Sequence, residues 1–375
     1  MAHRALRSLK FGPVLHCRGQ ALGRECREAM LQDPMRGATL AVCTPNRGFS
    51  RRQTLIFGAA LAAAGVLAPS LAHAEQISVT HWGALMYGAP YAVAMAKGFF
   101  KDAGVDIDGI LTSRGGGTTV RNVLAGGLPY GEVALSAAVA ARKQGLDVRI
   151  VNGGVATAAD ILWVVKPDSP LRSLRDLVGQ KVAYSGPKSV TDMLLLMALD
   201  GAGISPQRVT RVSAGGIGPG LVALDQGGVV AAPTMEPLWS RDQSKYRALF
   251  HVKDVLPVPM MQTVGIATPE LMRTGPDKLR AIIAARARAV DHIYAHPGEA
   301  GAILARAYDL PEPLGIAAVG SMAPLRYWSD GRLDPKVMDE MVRGLRIVGE
   351  LDGPVDWAGL VDDRFLPPAL RAPPT

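Results

Sequence analysis

Ala103-Gly104 followed by Ser113-Arg114-Gly115-Gly116, and about one hundred residues later Ala202-Gly203 followed by Ser213-Ala214-Gly215-Gly216, are two copies of one pattern. Each copy continues through a short apolar segment to a glycine pair, Leu124-Ala125-Gly126-Gly127 in the first and Leu224-Asp225-Gln226-Gly227-Gly228 in the second. Each closes on a brief apolar run, Glu132-Val133-Ala134-Leu135 and Val229-Val230-Ala231-Ala232. The simplest reading of each copy is strand, glycine turn, helix and strand. Repetition at this separation marks two similar units, and paired units hold ligands in the crevice between them.

Around the two copies, strand and helix patterns alternate. Ile77 to Thr80 and Ile107 to Leu111 read as strands, and Tyr91 to Lys101 as a helix stopped at Gly104. Thr118 is expected to cap a short helix running to Leu124. Ile161 to Val165 is a buried-type strand, and Lys166-Pro167-Asp168-Ser169-Pro170 reads as the crossing into the second unit. That unit starts at Lys181-Val182-Ala183-Tyr184; Ser189 and Asp192 then have capping-box spacing ahead of an apolar helix. The chain is expected to return to the first unit near Thr263. Apolar residues at 279, 282, 283, 290, 293 and 294 mark a long amphipathic helix after Pro276, and Pro297 opens another. The fold class is therefore α/β, with helices on both faces of mostly parallel sheets. The expected divisions are a leader over 1–74, a first unit over 75–165, a second over 166–262, and a return with C-terminal helices over 263–375.

In such sheets the loops at the carboxyl ends of the strands line the crevice. Those loops are His81-Trp82-Gly83, Ser113 to Thr118, Ser136-Ala137, Ser185 to Thr191 and Ser213 to Gly218. They are rich in Gly, Ser and Thr, and several precede helices, whose free N–H groups favour an anion.

The chain's net charge of +8 belongs to its leader: residues 1–74 hold ten basic and three acidic residues, leaving +1 for the remainder. A nucleic-acid partner is not expected on that balance. Ser50-Arg51-Arg52-Gln53-Thr54-Leu55 sets paired arginines before an uncharged apolar run to Leu71, closed by Ala72-His73-Ala74. This resembles a twin-arginine export signal cleaved after Ala74, which implies a periplasmic protein. All three cysteines, Cys17, Cys26 and Cys43, precede that cut, so a mature chain has no disulfide, catalytic thiolate or zinc–sulfur site.

Catalytic and cofactor motifs are weak. His292 and His296 have metal-ligand spacing, but Pro297 and Glu299 fit the start of the next helix. No Gly-x-Ser-x-Gly, P-loop or His-Glu-x-x-His motif is present, and Gly115-Gly116-Gly117 lacks dinucleotide spacing. No metal or cofactor is expected.

Trp82, Pro90-Tyr91, Ala96-Lys97-Gly98-Phe99-Phe100 and Ala103-Gly104, then Arg114 to Gly117 and Leu124 to Gly127, resemble the substrate-binding proteins of ABC importers for sulfonates, nitrate and taurine. Lys166 to Pro170, Asp176 to Ala183 and Glu236-Pro237 are similar to that family's central region. The resemblance spans Ile77 to Asp242 well and the C-terminal helices loosely. It implies a two-lobed type II periplasmic-binding-protein fold that closes by a hinge on a small, often anionic molecule. It further implies a membrane permease as partner and a monomeric binding component. On this resemblance Trp82 walls the crevice and Tyr87 covers it, while Gly116, Thr118, Ser136, Ser189 and Thr191 supply hydrogen bonds. Gly216 lets the facing backbone approach, and Arg114 pairs with a carboxylate or sulfonate. Glu236 fits a cationic or hydroxyl-bearing ligand better, and keeps amines and heterocycles among the candidates. Thiamine-pyrimidine synthases share the resemblance, with His81 suggestively placed, and a periplasmic ligand sensor is a further alternative.

Overall fold

In the computed structural model, which describes residues 75–371 apart from Val258, the repeated glycine pattern becomes the same device twice. β1 (Glu75–Thr80), β2 (Ile107–Ser113), β3 (Gly131–Ala134), β4 (Arg149–Thr157) and β10 (Pro259–Ala267) form one sheet in the order β2-β1-β3-β10-β4. β1 is parallel to both β2 and β3, and β10 runs against both β3 and β4. Four strands thus share one direction and the second from the edge is reversed.

The other half repeats this plan with β5 (Leu162–Val165), β6 (Lys181–Tyr184), β7 (Thr210–Ser213), β8 (Ala232–Thr234) and β9 (Arg247–His251). β6 and β7 are parallel, a parallel bridge joins Val182 to Ala231 just before β8, and β5 is antiparallel to both β8 and β9. The combined order is β7-β6-β8-β5-β9, again with the second strand from one edge reversed. The reversed strands, β5 and β10, are those that follow the crossings between the halves.

Those crossings differ from the positions expected at 165/166 and 262/263. β5 already pairs in the second sheet and β10 starts at Pro259 in the first, so the chain crosses at 158–161 and at 252–258. A four-residue apolar strand is buried on both faces in either sheet, so its composition does not reveal which one it joins.

The helices follow the glycine signals. α1 (Ala89–Ala96) is shorter than the helix expected over Tyr91 to Lys101, because Gly98 adopts φ +72° and Phe99–Asp102 makes a separate turn. α2 (Gly116–Ala125) follows β2, α3 (Leu135–Lys143) follows β3, α4 (Val190–Gly201) follows β6, and α5 (Ile217–Asp225) follows β7. α6 (Pro276–Ala295) buries Leu279, Ile282, Ile283, Val290 and Ile293 on the expected stripe, and α7 (Pro297–Tyr308) succeeds it.

α6 is also pinned by a charge. Arg286 is fully buried and its Nε lies 3.2 Å from Glu132 Oε2 on β3. Its other nitrogens donate to the carbonyls of Ser329 and Gly154, while Thr263 and Tyr91 donate to Glu132. Every arm of the pair is hydrogen-bonded, which a charge in this interior requires. The leader, with its twin-arginine motif and cysteines, lies outside the described residues. Among those described, no helix is long and apolar enough to cross a membrane.

Candidate functional site

Four helices start at one crevice between the sheets. Gly115 and Gly116 open α2, Ala134 caps α3, Ser189 to Thr191 open α4, and Ile217 opens α5; all line the same space. The sequence folds this way because β3 passes directly into its helix and the other three strands reach theirs through short turns. Gly115 and Gly216 serve as the caps of α2 and α5, and Gly216 has φ +154°, a backbone state that side chains disfavour. Each helix turns the positive end of its dipole to the crevice, an arrangement that favours an anion, with no Lys or Arg among the lining residues.

Hydroxyl groups line the walls and are already ordered. Ser113, Thr119 and Thr80 form a buried chain at 2.5 and 2.6 Å, and Thr80 donates onward to the Glu132 carbonyl. Opposite them, Thr191 accepts from the Ser185 backbone N–H at 2.9 Å and lies 3.1 Å from the Ser189 hydroxyl. Ser189 caps α4 by accepting from Asp192 N. The reciprocal half of the expected capping box is displaced: Asp192 accepts from Lys188 N and pairs with Arg211.

His81, at the end of β1, projects into the crevice from a left-handed backbone of φ +58°. Desolvation lowers its imidazole to about 4, so it is neutral at physiological pH. Tyr87 lines the crevice beside Met235 and donates to Gln262 Oε1 at 2.9 Å. Burial and the neighbouring carboxylates Asp160 and Glu132 raise its hydroxyl pKa well above the usual tyrosine range.

Of the ten residues singled out by sequence, Tyr87, Gly116, Ser189 and Thr191 line the crevice together. The other six do not. Trp82 packs edge-on against Tyr308 at 5.1 Å, and Thr118 accepts from Arg121 on its own helix. Arg114 is exposed and has no partner among the described residues. Gly216 caps α5 without itself lining the space. Ser136 is buried and donates at 2.7 Å to the Lys188 carbonyl, which joins α3 to the loop before α4. Glu236 is buried next to Met235, accepts from Ser240 N, and has its carboxyl pKa raised by desolvation.

Sequence reasoning missed Thr80, Ala134, Ser185, Ile217 and Met235, and treated His81 only as suggestive. His81, Ser185 and Ile217 fall inside the segments expected at strand ends. Which residue of each loop points inward depends on helical phase. The free space between the walls is only about 20 Å³, room for about one water molecule.

The riboflavin-binding protein RibY of Chloroflexus aurantiacus is 25% identical over 305 residues, covering 74% of this chain and 82% of that protein. The periplasmic aliphatic sulphonate binding protein SsuA from Escherichia coli superposes with a TM-score of 0.62 at 17% identity, over 77% of this chain and 92% of its own. The alkanesulfonate-binding protein SsuA from Xanthomonas axonopodis pv. citri, bound to MOPS, superposes at 0.64 with 15% identity, over 77% and 98%. These likenesses give the periplasmic binding protein fold, as the resemblance implied. Residues 86–300 match the family described as NMT1/THI5 like, more than half of the sequence, and the chain belongs to that family.

Proposed function

We propose that this chain is an exported solute-binding protein. It captures a small polar or anionic organic molecule between its two sheets and delivers it to the permease of an ABC importer. The observation that carries this reading is the convergence of four helix N-termini on one crevice without a basic lining residue. That arrangement suits a sulfonate, carboxylate or polar heterocycle held by backbone N–H groups and hydroxyls. The relatives named above bind riboflavin and sulfonates, molecules that share polar or anionic edges. Binding, and not chemistry, is the activity in this reading.

The free volume in the crevice is too small for such a ligand, so the sheets must part about the crossings at 158–161 and 252–258. Tyr87, Gly116, Ser189 and Thr191 then contact the ligand from both sides, and the Ser136–Lys188 bond re-forms on closure. Arg114 is a free cation beside the α2 N-terminus, available to an anionic ligand in the open form. Glu236 bears on the ligand through Met235, and Trp82 through Tyr308, whose hydroxyl donates to the carbonyl of the lining residue Leu85. Export through the leader places the protein in the periplasm.

The direct test is native mass spectrometry of the protein purified from its own host, followed by a thermal-shift screen over sulfonates, carboxylates, riboflavin and pyrimidines. A true ligand at one hundred times its Kd stabilises by about 2.7 kcal/mol, a rise of about 4 °C for a chain this long. No retained molecule and no shift with any class would reject the reading.

A further inference from the structure

The crevice wall and both crossings meet in one buried chain of polar side chains. Tyr87, on the wall, donates to Gln262 Oε1. Gln262, near the start of β10, donates its amide to the Thr157 carbonyl and, at 2.8 Å, to Asp160 Oδ1. Asp160 lies inside the first crossing and Gln262 on β10 four residues past the second, so Gln262 ties the strand that leaves the second crossing to the first crossing and to the crevice. The remaining oxygen, Asp160 Oδ2, and the neighbouring Tyr327 hydroxyl are both enclosed; the two act on each other, and neither has a further hydrogen-bond partner among the described residues. The titratable groups acting on Asp160 are Tyr327 and Glu236, with Tyr87 reached through Gln262. None of these is basic, so among the described residues an ionised carboxylate here has no cation facing it.

We propose that Asp160 is a proton-linked latch on the first crossing: the closed crevice holds its carboxyl protonated, and parting of the sheets hydrates it and releases the proton. Protonated, Oδ2–H donates to the Tyr327 oxygen while Oδ1 accepts from Gln262, so the enclosed carboxyl is satisfied on both oxygens. On opening, the proton passes to water and the carboxylate is solvated. Burial lifts this carboxyl from the usual range to about 7, consistent with a closed form that favours the acid. Closure therefore takes up a proton. The closed-to-open ratio falls by up to about tenfold per pH unit as pH rises toward 7, and levels off above it.

The latch rests on the hinge motion proposed above, and one experiment separates the two. Spin labels at Asp108→Cys on β2 and Thr210→Cys on β7, both exposed edge positions, report the separation of the sheets once Cys17, Cys26 and Cys43 are replaced by serine. Double electron–electron resonance without added ligand is recorded from about pH 5 to about pH 9, a range spanning the carboxyl's titration. The expected result is a short-distance population that shrinks as pH rises in the otherwise wild-type protein and stays constant in Asp160→Asn. Two populations whose proportions ignore pH would overturn the latch while leaving the hinge. A single short distance at every pH would overturn both, a single long one would overturn the latch alone, and an unchanged pH response in Asp160→Asn would assign the effect elsewhere. Should that variant not fold, carbon NMR of the wild-type Asp160 carboxyl decides: a midpoint near 7 supports the latch, and one near the ordinary value of about 4 removes it.

Discussion

Gly116 and Gly117 show how differently two adjacent glycines of the same sequence run are used. A Cβ on Gly116 would stand 2.4 Å from Ala137 Cβ and 2.9 Å from Val133 Cγ2, inside the packed joint of α2, α3 and β3. Gly117 is exposed, and its Cβ would approach nothing nearer than Arg121 at 3.7 Å. Gly116→Ala is therefore expected to destabilise by about 1–3 kcal/mol, and Gly117→Ala to stabilise by roughly 0.5–1 kcal/mol, in urea unfolding of the two variants. Equal effects would contradict the packing. His81 gives a second residue-scale prediction. Its folded-state pKa of about 4 lies below the unfolded value of about 6.5, so the unfolded chain binds the extra proton first. The stability it contributes is present above about pH 6.5 and is lost as pH falls toward 4. Imidazole NMR should show one histidine still neutral near pH 5; a midpoint near 6.5 would contradict its burial. The glycines were legible in the sequence because a turn into a helix demands them locally. The inward residue was not. Thr118 was expected to cap a helix that in fact begins at Gly116, which turns Thr118 toward Arg121 and Thr119 into the hydroxyl chain. Two glycines make a poor helix start by propensity, and tertiary packing overrides that preference.

At the scale of elements, the α4 cap and the α6 anchor differ sharply in what their loss should cost. Ser189 is partly exposed and supplies one capping bond, so Ser189→Ala is expected to cost about 1 kcal/mol. Glu132 and Arg286 are fully buried, and among the described residues Arg286 pairs with no other carboxylate, so Glu132→Gln strands a guanidinium in the interior. That substitution is expected to cost about 3–5 kcal/mol, read from urea midpoints at constant m. A loss below about 1 kcal/mol would mean that water reaches the guanidinium. The amphipathic stripe of α6 was legible from spacing alone, since burial on one face repeats with the helical period. The buried pair was not. It joins β3 to α6 over 154 positions, and nothing local to either residue distinguishes an interior arginine from a solvated one. The reversed strands were hidden for a similar reason: β5 and β10 look like any apolar strand, and their direction is set by which sheet the crossing delivers them to.

Across the whole molecule, the echo in sequence becomes an echo in topology, with strand orders β2-β1-β3-β10-β4 and β7-β6-β8-β5-β9 and four helix N-termini turned to the shared crevice. The polar side chains between the halves then carry opposing proton linkages. Asp160, raised to about 7 from about 3.9 in the unfolded chain, contributes stability that is complete below the unfolded value and is lost as pH rises through 7. His81 acts in the opposite direction from about 4 to 6.5, so the two slopes oppose over that window and the wild-type profile conceals both. Asp160→Asn removes one of them. The stability difference between Asp160→Asn and wild type should therefore change in favour of the variant by up to about 1.4 kcal/mol per pH unit between 4 and 7, then stay constant to pH 9. Urea unfolding of both proteins at half-unit intervals measures this difference directly, and contributions from all other groups cancel in the subtraction. A difference independent of pH would mean that Asp160 titrates at its ordinary value in the folded chain. The crossing would then tolerate an ionised carboxylate without a counter-charge, which its enclosure among Tyr327, Gln262 and Glu236 argues against.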